Sequence, residues 1–247
     1  MKKYLAAVFS AVLLMFIFSC TGETGPAGPE GEDGTDDSIT VVFQEGMHPS
    51  AGYDGSSDNF IYESFPDTNF GACGYTTVGT SSGPEIYRTL LRFDLAGQVI
   101  PQNVSVTDAY VELEIYGGYS NPGDTTITAY SLATGWVEGT VCSGSEAGSS
   151  TWNDAGASAW STAGGDYDDV SPVSDSVIVE AGSTSGTIRL KLDNAVVASW
   201  ITNPSSNHGL ILAATNEASG PEYTAFCSNE DTVASNRPKL IITYELP

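Results

Sequence analysis

In the segment Tyr110-Val-Glu-Leu-Glu-Ile-Tyr116, apolar and acidic residues alternate from Val111 to Ile115. Successive side chains of an extended chain point to opposite faces, so one face takes Val111, Leu113 and Ile115 and the other takes the two glutamates. No long 3.6-residue period is found from residue 39 onward. The run therefore predicts a β-strand with one face in a core and the other in solvent.

Ten further segments on both sides of this run also read as short strands. Clusters of Gly, Pro, Asn, Asp and Ser separate them, which is typical of a sandwich or barrel. One short helix is expected at 193–201, because Asp193 is a good N-cap and Val196 and Trp200 recur at helical spacing. The predicted strands are residues 40–44, 60–62, 75–79, 87–95, 105–116, 125–132, 177–180, 187–192, 209–214, 223–227 and 239–245.

Composition narrows the class of protein. Of 247 residues, 8 are Lys or Arg and 31 are Asp or Glu, and the formal charge of −23 excludes a nucleic-acid binder, which needs a basic face. An apolar content of 40% is too high for a disordered chain. These numbers predict one secreted all-β domain over residues 39–247.

Residues 1–19 read as a lipoprotein signal peptide. Two lysines precede an apolar run at 5–18, which is too short to span a bilayer as an ordinary helix. The segment ends in Ile17-Phe18-Ser19-Cys20, which resembles the bacterial lipobox. Cys20 is therefore expected to be acylated and to anchor the chain to a membrane, the alternative being a plain secretory peptide. Thr21 follows instead of Asp, which favours the outer membrane or cell surface.

Residues 20–38 are expected to form a linker between the anchor and the domain. Glycine recurs at every third position from Gly22 to Gly34, with Pro26 and Pro29 between, which is the Gly-X-Y pattern of collagen. So few triplets do not hold a triple helix alone, so a flexible or polyproline-II-like spacer and a monomeric protein are expected. A trimeric stalk is the alternative, and the oligomeric state stays open.

With the strands in order, residues 58 to 244 resemble the DNRLRE, or disaggregatase-related, domain, which is classed among the carbohydrate-binding modules. No single motif is specific, whereas the ordered set at consistent spacing is. The matching segments are Asp58-Asn-Phe-Ile-Tyr-Glu63, Pro66-Asp-Thr-Asn-Phe-Gly71, Thr77-Val-Gly79, Arg88-Thr-Leu-Leu-Arg-Phe-Asp-Leu95, Ile100-Pro101, Ala109-Tyr-Val-Glu-Leu113, Trp136-Val-Glu-Gly139, Thr151-Trp-Asn153, Trp160, Gly164-Gly-Asp166, Val197-Ala-Ser-Trp200, Asn207-His-Gly-Leu210, Ser228-Asn-Glu230 and Arg237-Pro-Lys-Leu240.

The resemblance implies a jelly-roll β-sandwich, mainly antiparallel, on a surface or secreted protein that binds polysaccharide. Members also serve as structural or adhesive modules, so that role is the alternative. The family's Ser-basic-Glu turn is here Ser228-Asn229-Glu230, which lacks the basic side chain. Since the domain also has few cations, polyanionic glycans are poor partners unless a cation bridges the two acidic surfaces.

Three cysteines remain beside Cys20, and a secreted context favours at least one disulfide. The first strand of a jelly roll often pairs with the last, which would bring the loop after Tyr62 beside the loop before Lys239. We therefore expect a Cys73–Cys227 disulfide, with Cys142 free or intermolecular. Cys142 lies in a long irregular stretch, however, and could reach either partner.

Two acidic segments are candidates for a structural Ca²⁺ ion. Asp166, Asp168 and Asp169 follow a flexible glycine pair, and Ca²⁺ takes six to eight oxygen ligands from carboxylates and carbonyls. The run Asn229-Glu230-Asp231 is a second candidate. The alternative in both cases is a solvated acidic loop.

Sugar binding needs flat aromatic faces with polar groups beside them. Trp160 and Tyr167 flank the Gly164-Gly165 turn and are expected to be exposed there. Trp152 is a third candidate, although it can pack the loops instead. Tyr116 and Tyr119 are weaker candidates. Burial of Trp160 and Tyr167 would favour the structural or adhesive role.

The sequence contains no recognisable catalytic pattern. His48 and His208 are its two histidines, and G-x-S-x-G, H-E-x-x-H, P-loop and dinucleotide motifs are missing. A carboxylate pair among the 31 acids is not singled out by spacing. The expected function is a lipid-anchored, non-catalytic surface protein that binds extracellular polysaccharide; the alternative is an adhesive module with a protein or matrix partner.

Overall fold

Alternating apolar positions produce eleven strands in the residues that the computed structural model describes, which are 37–83, 85–119, 121–218 and 220–247. The predicted signal peptide, Cys20 and the Gly-X-Y spacer lie outside them and stay predictions. The strands are β1 Ser38–Phe43, β2 Ser56–Tyr62, β3 Tyr75–Thr80, β4 Ile86–Phe93, β5 Ser105–Glu114, β6 Thr125–Ser131, β7 Val177–Val179, β8 Thr187–Lys191, β9 Leu210–Ala214, β10 Glu222–Cys227 and β11 Lys239–Glu245.

The strands form two sheets in which the named strand pairs are antiparallel. The four-stranded sheet has the order β1-β11-β5-β8. The seven-stranded sheet has the order β10-β3-β4-β9-β6-β7, and β2 pairs with β4 along its whole length. This arrangement confirms the predicted all-β sandwich, which is mainly antiparallel.

The main core lies between the two sheets. Val111, Leu113 and Ile115 are buried, as the alternation of β5 predicts, and they pack with Leu91 and Leu212 of the other sheet. The prediction that Glu112 is solvated is wrong, because this side chain is only 11% exposed. It accepts hydrogen bonds from Lys239 Nζ at 2.6 Å and Arg189 Nε at 2.8 Å, and these charges compensate its burial.

Within the described ranges there is one α-helix, α1, which spans Asn194–Thr202 and confirms the predicted helix. Asp193 is its N-cap, with Oδ1 accepting from Ala195 N at 2.7 Å. Trp200 is buried in the main core, as expected. Two 3-10 turns, Pro204–Ser206 and Ala234–Asn236, complete the helical structure of the described residues. In that part of the chain, no helix has the length and apolar character needed to cross a membrane.

The predicted Cys73–Cys227 disulfide is wrong: Cys73 is bonded to Cys142, and Cys227 is a buried free thiol. The last strand pairs with β1 and not with β2, so the loop after β2 meets a different segment. Ala72 N donates to Val141 O, and Asn69 pairs with Gly144. These contacts run residues 69–72 antiparallel to 141–144 and bring Cys142 to Cys73.

Candidate functional site

The predicted sugar-binding loop does not present its tryptophans to solvent. Trp160 is 5% exposed, and its Nε1 donates to Thr151 O at 2.9 Å. Trp152 is also buried, and both rings belong to a second core with Leu90 and Ile211. The expectation that Trp160 is exposed is therefore wrong, and Trp152 packs the loops. The loop backbone is hydrogen-bonded around these rings, with Trp160 N donating to Asn153 O at 3.0 Å and Gly164 N donating to Trp152 O at 2.7 Å.

Tyr167 is half-buried and lines a surface depression of about 550 Å³. Its ring lies 5.2 Å from that of Tyr130, and the Arg88 guanidinium carbon lies 5.2 Å from its centroid. Asp166, Asp168 and Asp169 line the same depression. The Tyr167 ring therefore packs partly against other side chains of the protein, and its exposed part borders acidic residues.

The predicted calcium ligands of this loop do not converge. Asp166 accepts from Ser161 N, Thr162 N and Thr134 Oγ1, each at 3.0 Å. Although burial raises its pKa, these hydrogen bonds lower the pKa of Asp166 below its ordinary value. Asp168 accepts from Val170 N and Ser171 Oγ. Asp166 therefore holds its own loop together and does not gather with Asp168 and Asp169 into a metal-ligating group.

A different surface, on the seven-stranded sheet, carries a row of tyrosines. Tyr62 is paired with Tyr87, Tyr87 with Gly79, and Gly79 with Tyr223, so that the row crosses β2, β4, β3 and β10. Cross-strand partners project from the same side of a sheet. The rings of Tyr62 and Tyr87 are stacked, with centroids 4.0 Å apart and planes at 14°.

Gly79 makes room for this row. Its φ is +127°, and a Cβ there would lie 2.0 Å from Glu222 O and 2.5 Å from Tyr223 Cα. Only glycine adopts this backbone conformation at little cost. Because no side chain stands at this position, the rings of Tyr87 and Tyr223 approach to 5.9 Å across it.

A second group of rings adjoins the row. Phe60 is stacked on Phe70 at 4.2 Å and on Tyr75 at 5.7 Å. Tyr75 in turn is stacked on Tyr116 at 5.3 Å and accepts a hydrogen bond from the Tyr119 hydroxyl at 3.0 Å. We call the whole set the aromatic face; it comprises Phe60, Tyr62, Phe65, Phe70, Tyr75, Tyr87, Tyr116, Tyr119 and Tyr223.

The aromatic face borders an open groove. Phe65 is 56% exposed and Tyr119 42%, while Tyr62, Tyr87 and Tyr223 are half-buried. A depression of about 210 Å³ lies over the rings, and a second of about 570 Å³ adjoins it. Both are lined by Tyr62, Tyr87 and Tyr223, so these rings join the two depressions into one groove.

The groove offers hydroxyl groups and one carboxylate but no cation among its described lining residues. Burial, together with the hydrogen bond to Tyr119, raises the pKa of Tyr75 to about 12. Burial likewise raises the pKa of Tyr87, so both hydroxyls stay protonated and can donate. Glu85 lines the second depression and accepts from Ser81 Oγ, which lowers its pKa. The lining therefore combines flat apolar faces with donors and an acceptor.

Three carboxylates that are distant in sequence converge elsewhere in the described residues. One oxygen each of Asp58, Glu138 and Glu230 lies within 4.8 Å of the other two. Asp58 is buried, Glu138 half-buried and Glu230 exposed. Burial first, and the neighbouring Glu230 charge second, raise the pKa of Asp58 well above its usual range. Burial also raises the pKa of Glu138 to about 8. Glu230 belongs to the second predicted calcium segment; its neighbour Asp231 is not part of this trio.

The aromatic face was not predicted from the sequence, although the sequence contains a signal for it. Five predicted strands begin or end with tyrosine, and four of these residues, Tyr62, Tyr75, Tyr87 and Tyr223, lie in strands of the seven-stranded sheet. What could not be read from the sequence is that these strand ends are neighbours in one sheet. Tyr116 and Tyr119, the weaker candidates, do belong to the aromatic face.

A family model described as the disaggregatase related repeat domain matches residues 58–242, which is most of the chain. No curated protein matches the sequence.

Proposed function

The chain belongs to the disaggregatase-related repeat family, and from that premise we propose that it is a non-catalytic surface module that binds extracellular polysaccharide through the aromatic face. The single observation that carries the proposal is the groove over Tyr62, Tyr87 and Tyr223. Sugar rings present C–H groups on their flat sides and hydroxyls around their edges. An open aromatic floor with polar groups beside it fits both surfaces of such a ring.

The length of the groove favours a polymer over a single sugar. The two depressions share three rings and extend from Phe65 on one side to Pro122 and Pro221 on the other. A polysaccharide is extended, so several of its units can lie along adjacent rings. The groove is open to solvent, which suits a segment within a longer chain.

The charge of the groove favours a neutral glycan. Among the described residues that line the two depressions, Glu85 is the only acid, and there is no Lys, Arg or His. The chain as a whole carries a formal charge of −23. A polyanionic glycan would therefore be repelled from this surface, whereas hydroxyl-rich neutral chains can bond to tyrosine hydroxyls and to Glu85.

The proposed cellular setting rests on the N-terminal sequence. The lipobox-like Ile17-Phe18-Ser19-Cys20 supports a lipid anchor on Cys20, and the Gly-X-Y segment supports a spacer between anchor and domain. We therefore place the module at the cell surface or outer membrane. The proposed non-catalytic role rests on the sequence, which contains none of the G-x-S-x-G, H-E-x-x-H, P-loop and dinucleotide motifs.

The experiment is a screen of the purified protein against neutral and acidic polysaccharides, followed by calorimetry on the best ligand. Phe65→Ala and Tyr119→Ala remove exposed rings of the aromatic face, so they should leave the fold intact. We expect each to weaken binding about fivefold, the equivalent of about 1 kcal/mol per ring. Tyr167→Ala is the matched control, because it removes a half-buried ring from the other depression.

A structural or adhesive module without a sugar site is the second candidate, and the burial of Trp160 favours it. On this alternative the aromatic face would contact a protein or matrix partner. Failure of every neutral and acidic glycan to bind would support it. Binding that is lost in Tyr167→Ala but kept in Phe65→Ala would move the sugar site to the 151–169 loop.

A further inference from the structure

The three converging carboxylates lie close together, and the positive charge around them is too small to neutralise them. Glu138 Oε1 accepts from Asp58 N at 2.5 Å, and Asp58 Oδ2 accepts from Asn229 N at 2.6 Å. These bonds fix Asp58 and Glu138 in place, but backbone N–H groups carry no full charge. Like charges at this separation, away from bulk water, repel strongly.

The surrounding charged groups do not compensate the trio. Glu45 adds a fourth negative charge that acts on Asp58, Glu138 and Glu230. Arg92 acts on Glu138, and Arg237 acts on Glu230. When all four carboxylates are ionised, they carry two more negative charges than the two guanidinium groups neutralise, which is the charge of one divalent cation.

An unpaired amide beside the trio is a second and independent indication of a ligand. Asn229 is 6% exposed, and both its Oδ1 and its Nδ2 are buried without a hydrogen-bond partner. It is held against the trio, because its backbone N–H donates to Asp58 and Glu230 follows it in the chain. A buried amide left unpaired costs free energy, so a missing partner is expected at this place.

From this geometry we propose that Asp58, Glu138 and Glu230 bind a calcium ion, with the Asn229 side-chain oxygen as a further ligand. Three oxygens within 4.8 Å of one another have a point within about 2.8 Å of all three. Small side-chain movements bring that distance to the 2.3–2.6 Å of Ca²⁺–oxygen bonds. Carboxylate and amide oxygens are the hard ligands that Ca²⁺ takes, and water can complete its six to eight positions.

The trio also provides an entry path and a structural task. Glu230 is exposed, Glu138 half-buried and Asp58 buried, so the ligands lead from solvent into the fold. Asp58 lies on β2, Glu138 in the loop that follows Trp136, and Glu230 between β10 and β11. A bound ion would therefore cross-link three segments that are distant in sequence.

The test is calcium binding by the purified protein after chelation and desalting. We expect calorimetry to show one Ca²⁺ site. Excess CaCl₂, at about 100 times the dissociation constant, should raise the unfolding temperature by about 5–10 °C. Glu230→Gln should weaken binding at least about tenfold, because it removes a charged ligand. Glu230 is exposed, so this variant should fold, whereas Asp58→Asn changes a buried group.

The matched control is the double variant Asp168→Asn, Asp169→Asn, which removes two acids from the loop that looked most like a calcium site in sequence. It should bind Ca²⁺ as the wild type does. The proposal is overturned by a wild-type protein that shows neither heat nor a temperature shift with CaCl₂. It is also overturned if Glu230→Gln binds unchanged, or if the double variant alone loses the ion.

Discussion

Arg88 and Glu217 form a bidentate ion pair, with Nε to Oε1 at 2.8 Å and Nη2 to Oε2 at 2.6 Å. The same guanidinium lies 5.1 Å from the Trp152 ring and 5.2 Å from the Tyr167 ring. Its Nη1 donates to Gly164 O at 2.7 Å. One side chain of β4 thus fastens the 151–169 loop and the segment after β9 to the sheet.

Replacing Arg88 by lysine should lower the free energy of unfolding by about 2–4 kcal/mol. Lysine keeps the charge but cannot make the planar, bidentate and stacked contacts, and the pair is largely shielded from water. Chemical denaturation of both proteins measures the difference. Arg189→Lys is the control, because Arg189 is a mostly exposed partner of Glu112 and should cost less than about 1 kcal/mol. Equal losses in the two variants would contradict the proposed tether.

Removing the disulfide by Cys142→Ser should lower the free energy of unfolding by about 4 kcal/mol. The bond closes a loop across 69 positions of sequence, and the loop-closure entropy of the unfolded chain gives this magnitude. Denaturant titration measures it, and non-reducing peptide mapping identifies the bonded pair. Cys227→Ser should cost about 1 kcal/mol, since it changes only a buried free thiol. If Cys227→Ser lowered the free energy of unfolding more than Cys142→Ser does, the result would support the Cys73–Cys227 disulfide predicted from the sequence.

The ion pairs of Glu112 should make stability depend on pH under acidic conditions. Although burial raises it, hydrogen bonds from Lys239 and Arg189 bring the pKa of Glu112 below the ordinary 4.5. A carboxyl whose pKa is lower in the folded state stabilises the protein above its unfolded pKa, and this contribution is lost as pH falls through the folded pKa. The wild type should therefore exceed Glu112→Gln in unfolding free energy near neutral pH, and the gap should shrink below pH about 4.5.

Measuring unfolding free energies of both proteins across this pH range checks the sign. Lys239→Met tests the same pH dependence in a second way, because it leaves Glu112 in place but removes its closest cation. Its pH-dependent gap to the wild type should shrink over the same range. A gap between wild type and Glu112→Gln that stays constant with pH would show that the ion pairs contribute nothing.

Gly79→Ala should destabilise the protein by about 3 kcal/mol or more. The added Cβ would overlap Glu222 O and Tyr223 Cα, and the backbone would keep a strained positive φ. Gly97→Ala is a matched control, because Gly97 also has a positive φ but no atom within 4 Å of its Cβ position. It should cost only about 1 kcal/mol. Thermal and chemical unfolding compare the two, and similar values would mean that the Gly79 contact relaxes easily.

Local patterns predicted the elements well, because they depend on neighbouring residues. The alternation at Val111, Leu113 and Ile115 identifies β5, and Asp193 identifies the start of α1. The burial of Glu112 was not predicted, because its partners Arg189 and Lys239 come from strands that are distant in sequence. Sequence spacing cannot show which strands will lie beside each other in a sheet.

Because the sequence does not show which segments meet in the fold, it also failed to identify the candidate metal site. The sequence suggests a metal site at Asp166, Asp168 and Asp169, because these acids lie within four residues. Asp166, however, accepts hydrogen bonds from Ser161 N and Thr162 N of its own loop. Asp58, Glu138 and Glu230 meet only after the sandwich has formed. The disulfide prediction was wrong for the same reason. It assumed that β2 and β11 are neighbours in a sheet.

The stacking within the aromatic face has a consequence for any partner that docks there. Phe60 lies against Phe70 and Tyr75, and Tyr62 against Tyr87, so these rings have lost their rotational freedom already when the protein folds. Association then demands little further ordering from the protein. The entropic cost of recognition would fall almost wholly on the partner, so stiff chains should be selected over floppy ones of the same chemistry.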